Sequence, residues 1–527
     1  MLIKVDDDAE EHLGSDADLD QPADVGTDAR ERWIGRLLLF GPVALMLLLG
    51  ALAIGRPSMF GTEEASLWAG RLSSAKLYNL INHLDAVHGL YYFGLHAVFK
   101  IFGSNVITLR LPSLIGSAIT VLVVNVLTRR LTGSAGTAAI AAVLTAIAPF
   151  FVFWGVSGRS YGIDPAFALT GTLVFVWALQ TDSRRPPEWV RWVIYAFVVA
   201  VGGYLHEMTF LAVAAHAVTL AIVRPRWRTV LSWLAAAVGA GLAMVPIIRL
   251  SSRERDQLGW IGRPGWSKLK LIVNQFFGPE PTTVWLLLLL IVVGAIFAMR
   301  APRGGRLDVR SVALPLLVVP PALLYAESYV SSPLFGGNHY ILYCVPAGLM
   351  LAAVGLIRIS RAVGRHHTQL GWLTVAAALV IVAVSEVVPL NRLRSGAGYP
   401  QDLGPVARFV AANSRPGDLA VYLPAGYTYT PLGYPKEFAN VSSAAVLISP
   451  NQADTFRGIR MSVAQEHVNL LDHDRVWAIG LLDESTYERR HRMELRALSK
   501  HFRLVTERSY PGAQVALYVR VHTKHVS

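Results

Sequence analysis

The chain has 527 residues, of which 53% are hydrophobic and 16% charged, against roughly a quarter charged in an ordinary soluble domain. That composition excludes a string of soluble domains, and the single cysteine, Cys344, excludes an internal disulfide and a cysteine-based zinc or iron–sulfur centre. The formal charge of +12 does not require a nucleic-acid partner, because the arginines fall in clusters between long apolar runs.

Residues 1–32 are acidic and hold no aromatic residue, and read as a disordered cytoplasmic tail. The first apolar run, 34–54, lacks a cleavage site and is long enough to span a bilayer. Further runs at 105–128, 137–155, 162–180, 190–206, 208–223, 229–249, 282–299, 311–328, 339–357 and 370–390 give about eleven transmembrane helices. His88–Gly103 is too short to cross and carries His96 and Lys100, so it reads as an amphipathic helix at the interface. With that helix kept out of the membrane, Arg129 and Arg130, Arg184 and Arg185, Arg224 to Arg228, Arg300 to Arg306 and Arg358 to Arg365 share one side. By the positive-inside rule that side is the cytoplasm, as expected of a plasma-membrane protein.

From about Leu393 the pattern changes. GPVARFVAANSRPGD reads as a helix closed by a turn, and LAVYLP, AAVLISP, RVWAIGLL and AQVALYVRV read as strands. The expected organisation is therefore a tail over 1–32, a polytopic α-helical membrane domain over 33–392 with interfacial helices at 61–103, and an extracytoplasmic α/β domain over 393–527. No GxGxxG or GxxxxGK[ST] loop is present, so nothing points to nucleotide binding.

The chemically capable residues gather in the loops opposite the arginines. Polar groups at a membrane edge are costly unless paired or functional, so their convergence from six separated segments marks a site. Glu63 and Glu64 follow the first span, where a carboxylate can serve as general base for a hydroxyl, or cap the helix that starts near Ala65. Asp85 and His88 lie three apart and fit a divalent cation shared with Glu63, a substrate phosphate, or a local hydrogen bond that caps a helix. Arg159 and Tyr161 stand at a turn between spans, where a buried arginine needs a phosphate or an internal partner such as Asp164 or Glu207. His206 and Glu207 end another span on the same face. Arg253, Arg255, Arg263, Lys268 and Lys270, with Trp260 and Trp266, form a basic external loop suited to a lipid phosphate or to anionic headgroups. His339 and Tyr340 begin a late span from a glycine-rich loop.

FGTEEASLWAGRL, DAVHGLYYFGLHAVFKIFG, SNVITLRLPSLIGSAITVLVV, GVSGRSYG and NHYILYCVP, in that order, resemble the polytopic GT-C glycosyltransferases over residues 34–390. The resemblance is to the family 39 group with the protein O-mannosyltransferases and the lipid A aminoarabinose transferases, in the form found in actinobacteria. Two positions depart from the family pattern: Glu63 stands where an aspartate is usual, and His339 where an arginine is usual.

The resemblance implies inverting transfer of a sugar, mannose or arabinose, from a polyprenyl-phosphate donor to a cell-envelope glycan, lipid or protein. Glu63, then Glu64, would be the base. Asp85, His88, Tyr91, Tyr92, Arg159, Tyr161, His206, Glu207, Arg253, Arg255, His339 and Tyr340 would bind substrate. No cofactor is required by the sequence; magnesium or manganese on Glu63, Asp85 and His88 is compatible with it. The competing readings are a lipid or polysaccharide transporter and a non-catalytic envelope-assembly scaffold. A transporter predicts broken helices and mid-membrane charges in related halves, and the sequence displays neither.

Overall fold

The computed structural model describes residues 25–180, 186–254, 263–298, 307–330, 335, 338–395, 400–481 and 489–521. Residues 1–24 of the expected tail lie outside these. Residues 25–32, also assigned to the tail, are helical instead: they wind into the first helix, α1 (Val25–Ala53).

After α1 three short helices cross the mouth of the bundle: α2 (Gly61–Arg71), α3 (Ser74–His83) and α4 (Gly89–Phe102). Helix α4 has 14 residues, about 21 Å, against the ~30 Å of a bilayer core. It packs against α2 and α3. His96 meets the Gly70 carbonyl at 3.2 Å and Lys100 is exposed.

The bundle continues through α5 (Val106–Thr132), α6 (Ala135–Ile147), α7 (Pro149–Gly155), α8 (Asp164–Leu179), α9 (Glu188–Leu205), α10 (Leu211–Val223) and α11 (Trp227–Ser252). It closes with α12 (Trp266–Phe277), α13 (Pro281–Ile296), α14 (Val309–Val330), α15 (Cys344–Val363) and α16 (Thr368–Ser395). Among the described residues eight helices are long and apolar enough to cross a membrane. The pairs α6–α7, bent by 66°, and α12–α13, bent by 86°, raise the number to ten. The expected count of about eleven included 208–223. There α10 has only 13 residues, about 20 Å, because the stretch opens with a 3₁₀ turn over Glu207–Phe210. Pro149 and Pro281, each at the first position of its helix, mark the two bends, since proline starts a helix readily and cannot donate to a preceding one.

Helix α15 sits at the centre, buried from Cys344 through Leu356. Outside, Leu48 of α1, Leu242 of α11 and Trp372 and Val384 of α16 are exposed. An apolar exterior around a packed interior is what a lipid-facing surface demands, and the chain is a multi-pass membrane protein.

The second unit begins beyond α16, three residues later than expected. Its helix α17 (Leu403–Asn413) leads into β1 (Asp418–Leu423), β2 (Val441–Ser443), β3 (Val446–Ile448), β4 (Ile459–Arg460), β5 (Arg475–Gly480), β6 (Phe502–Tyr510) and β7 (Ala513–Arg520). The five-stranded sheet has the order β2-β1-β5-β7-β6. Strand β1 runs parallel to β5, with Leu419 opposite Val476, and β7 runs antiparallel to both β5 and β6. Alternation along the strands builds a core on each face. Ala420, Tyr422, Trp477 and Ile479 pack against α17, while Leu419, Val421, Val476 and Ala478 pack against α20 (Val463–Leu471) and α21 (Arg489–His501).

The two units meet on the first loop of the membrane domain. Ser58 donates to Asp402, the Met59 amide to the Tyr434 hydroxyl at 3.2 Å, and the Gly61 amide to Gln401 at 3.1 Å. Trp68 Nε1 donates to Asn451 Oδ1 at 2.8 Å. Helix α2 is thus held between the bundle and the α/β unit.

Candidate active site

The two neighbouring acids of α2 point to different places. Glu63 turns into the bundle, where Arg110 Nε and Nη2 reach its two oxygens at 2.7 and 2.6 Å. The Gly158 amide donates to the same carboxylate at 2.6 Å and the Phe60 amide at 3.4 Å. Arg110 also donates to the carbonyls of Ile54 and Pro57 at 2.9 and 3.0 Å, groups left open where α1 ends. Neither side chain of the pair is exposed. An arginine five residues into an apolar span must find an anion. That need is the signal by which the sequence could have disclosed Arg110, which was not among the expected site residues.

Glu64 turns the opposite way, towards the α/β unit. It is fully buried, its neighbour is the short helix α18 (Thr430–Gly433), and neither carboxylate oxygen has a hydrogen-bond partner. A Cβ on Gly433 would lie 2.5 Å from Glu64 Cγ, so the close approach depends on glycine. Burial, and then the Glu63 charge, hold the Glu64 carboxyl well above the usual carboxylate range.

A second cluster forms below α2, and most of the expected residues meet there. Asp85 has a left-handed backbone, φ 58°, uncommon for a residue with a side chain. Tyr92, from the first turn of α4, donates its hydroxyl to Asp85 and accepts from Arg159 Nη1 at 3.0 Å. Arg159 Nη1 lies 3.8 Å from Asp85 Oδ2 and 3.3 Å from Ser66 Oγ. The expected internal partners for Arg159, Asp164 and Glu207, are engaged by Ser160 at 3.2 Å and Ser251 at 2.9 Å. Arg159 is 6% exposed, and its Nε has no acceptor.

Around Arg159 stand three histidines. His88 meets Ser160 at 3.4 Å and the Tyr161 hydroxyl at 3.3 Å, with its ring centre 5.7 Å from that of His206. Tyr161 packs on His339 at 4.3 Å, and Tyr340 stacks on His206 at 4.8 Å. Burial lowers the pKa of His88 well below its ordinary value, with Arg159, His206 and His339 acting in the same direction. Burial, then Arg159, takes His206 down to about 3. Both rings are neutral at pH 7 and present one donor and one acceptor nitrogen each. Trp154 completes the aromatic wall, 4.8 Å from Tyr161 and 4.5 Å from His339.

Asp85 is partly accessible, 22% exposed. Glu254, just beyond α11, accepts from the Ala86 amide at 3.3 Å, and burial pushes its carboxyl up to about 7. It was not singled out in the sequence, since a glutamate in a basic loop reads as a solvated charge.

Other expected residues stand apart. Tyr91 faces α5, its hydroxyl 3.5 Å from the Leu109 carbonyl. Arg253 is exposed at the end of α11, and Arg255 lies outside the described residues. Of the expected basic loop, Lys268 and Lys270 are in fact helical, in the first turns of α12. The expected metal set does not assemble: Glu63 is committed to Arg110, and Asp85 and His88 are 4.0 Å apart. Among the described residues no three His, Cys, Asp or Glu are grouped to hold a metal ion.

Comparison with known proteins bears on the fold. Residues 90–249 match the family model for dolichyl-phosphate-mannose-protein mannosyltransferase. The crystal structure of ArnT from Cupriavidus metallidurans in the apo state is similar over 93% of this chain and 98% of that one, with a TM-score of 0.57 and 12% identity. The same protein bound to undecaprenyl phosphate is similar over 92% and 98%, with a TM-score of 0.55 and 13% identity. Comparison with curated protein sequences gives no match. The chain has the fold of the ArnT structures, and the family match runs from α4 to near the end of α11.

Proposed function

We propose that the chain is a membrane glycosyltransferase that uses a polyprenyl-phosphate sugar, and that its site is the Asp85–Arg159–histidine cluster. The observation that carries this reading is Arg159: a buried guanidinium with an unfilled Nε donor, ringed by three histidines at a membrane edge. A lipid phosphate supplies the missing acceptor and the opposite charge together. The bound lipid in the similar ArnT structure is of this class.

In the proposed reaction an acceptor hydroxyl attacks the anomeric carbon as the bond from that carbon to the phosphate oxygen breaks. The electron pair leaves with the phosphate, where Arg159 and the ring N–H groups of His88, His206 and His339 stabilise the added charge. A carboxylate takes the hydroxyl proton. Asp85 is the best placed, being water-accessible and within 4 Å of both Arg159 and His88. Glu63, neutralised by Arg110, acts as a positioning residue, and Glu64 lies under the α/β unit. The matched family's description favours mannose as the sugar; an arabinose donor and a cell-envelope acceptor remain part of the same proposal. The arginine-rich side is the cytoplasm, which puts the site and the α/β unit outside.

A second reading, a non-catalytic scaffold, is favoured by one observation: both members of the acidic pair are withdrawn from the cluster. The deciding experiment is transfer of labelled sugar from polyprenyl-phosphate donors by purified protein in lipid. Wild type should transfer, Asp85→Asn should lose at least two orders of magnitude in rate, and Glu64→Gln should retain activity. Lipid-phosphate binding without transfer from any donor would select the scaffold.

A further inference from the structure

The α/β unit packs several side chains onto the roof of the site, and one of them, Phe456, reaches Tyr92. Between α19 (Pro450–Ala453) and β4 the chain turns through Asp454, which has a left-handed φ of 49°, and delivers Phe456 into the core formed by α2, α3 and α4. Phe456 is 4% exposed. Its ring meets Trp68 edge-on at 5.5 Å, Tyr92 at 6.3 Å and Tyr429 at 5.9 Å.

The segment is fixed on both sides of that insertion. Asn451 accepts from Trp68 Nε1 at 2.8 Å, and its carbonyl accepts from Lys76 Nζ at 2.6 Å. Asp454 accepts from Asn79 at 3.1 Å and pairs with Lys76 at 3.1 Å. Each contact lies on α2 or α3, so the segment is anchored to the site's roof and not to the bundle.

Tyr92 is the residue through which this anchoring reaches chemistry. One face of its surroundings is the Phe456 ring, while its hydroxyl bridges Asp85 and Arg159. An aromatic ring has only two side-chain torsions, so a neighbour that fixes the ring also fixes the hydroxyl. Beyond Tyr92, the Asp85 carboxylate meets only longer contacts among the described residues, Arg159 at 3.8 Å and His88 at 4.0 Å.

We infer that Phe456 is a positioning residue for the transfer reaction: it holds the Tyr92 ring, and through its hydroxyl the spacing of Asp85 and Arg159. This inference rests on the functional reading above. It makes the α/β unit part of the site, beyond a cover for the outer face. A displacement of about 1 Å in a reacting group is enough to cost one to two orders of magnitude in rate.

The test is a double-mutant cycle on transfer from the polyprenyl-phosphate donor, with wild type, Phe456→Ala, Tyr92→Phe and the double variant. Phe456→Leu and Phe456→Tyr report on packing at the same position, and monodispersity in detergent reports on folding. Phe456→Ala should lower kcat about tenfold with donor KM changed less than threefold, and Phe456→Tyr should restore the rate. In the Tyr92→Phe background, loss of Phe456 should cost less than about twofold, because the hydroxyl it positions is gone.

Equal cost of Phe456→Ala in both backgrounds would overturn the inference. So would a folded Phe456→Leu and Phe456→Ala pair with unchanged kcat. Should wild type transfer nothing, the role in transfer falls with the enzymatic reading, and the cycle is read on undecaprenyl phosphate affinity, where coupling between the two positions upholds the positioning of Tyr92 by Phe456 alone. Wild type that neither transfers nor binds the lipid phosphate overturns both.

Discussion

Glu63 and Arg110 form a doubly bonded ion pair with no exposed surface, joining α2 to α5 and sealing the end of α1. Removing one partner of a buried pair leaves an uncompensated charge, at a cost of about 3–5 kcal/mol. Arg110→Met should therefore lower the thermal midpoint sharply and reduce the yield of monodisperse protein. Glu63→Leu in the same chain should recover much of that loss. A Glu63→Gln protein with wild-type thermal stability and no transfer would reverse the assignment, making Glu63 the base and the pair incidental.

Arg159 should govern donor affinity. A charge-assisted hydrogen bond is worth about 1.5–3 kcal/mol, which corresponds to roughly 10–100-fold in binding. Arg159→Ala should weaken undecaprenyl phosphate binding by that factor. Arg159→Lys should recover only part of it, since an ammonium keeps the charge and loses the planar fork. Titration of the lipid in nanodiscs measures both; identical affinities for wild type and Arg159→Ala would remove the phosphate from this cluster.

The buried His206 sets the direction of a pH effect. In the folded protein it protonates only at about 3, against an ordinary value of 6.5. Between those values the unfolded chain carries the extra proton, so stability is complete above pH 6.5 and falls as the pH drops through that window. The slope is on the order of 1.4 kcal/mol per pH unit for one such group. His206→Gln should flatten the decline of the thermal midpoint between pH 6.5 and 4.5. Bound lipid phosphate should flatten it too, because an anion beside the ring favours the imidazolium. A midpoint that declines as steeply in His206→Gln as in wild type would place the acid sensitivity elsewhere.

The fold and the meeting of Asp85, His88, Arg159, Tyr161, His206, His339 and Tyr340 were legible in the sequence for one reason. Apolar period fixes which segments cross, and arginine sidedness fixes which loops share a face. What those signals cannot give is direction around a helix. Glu63 and Glu64 are adjacent, and about 100° separates them on α2, so one meets Arg110 and the other Gly433. Strand β6, FRLVTERSY, escaped detection because an edge strand with mostly exposed side chains lacks an apolar face. Glu254 escaped because its partner, the Ala86 amide, lies 168 positions earlier in the chain.

Helices α13 and α15 cross at Gly294 and Gly355. A Cβ on Gly294 would sit 2.0 Å from the Leu351 carbonyl oxygen, and one on Gly355 the same distance from that of Leu290. Both obstacles are backbone atoms, which cannot rotate aside, so the helices must separate. Overpacking of this kind costs about 1–3 kcal/mol. It should also shift His339 and Tyr340, which lead directly into α15. Gly355→Ala should lower both the thermal midpoint and the affinity for undecaprenyl phosphate. Gly239→Ala is the matched control: it lies in α11 with nothing within 4 Å of the added carbon, and alanine is the better helix former there by about 1 kcal/mol. If the two variants melt together, close approach of α13 and α15 does not hold this bundle.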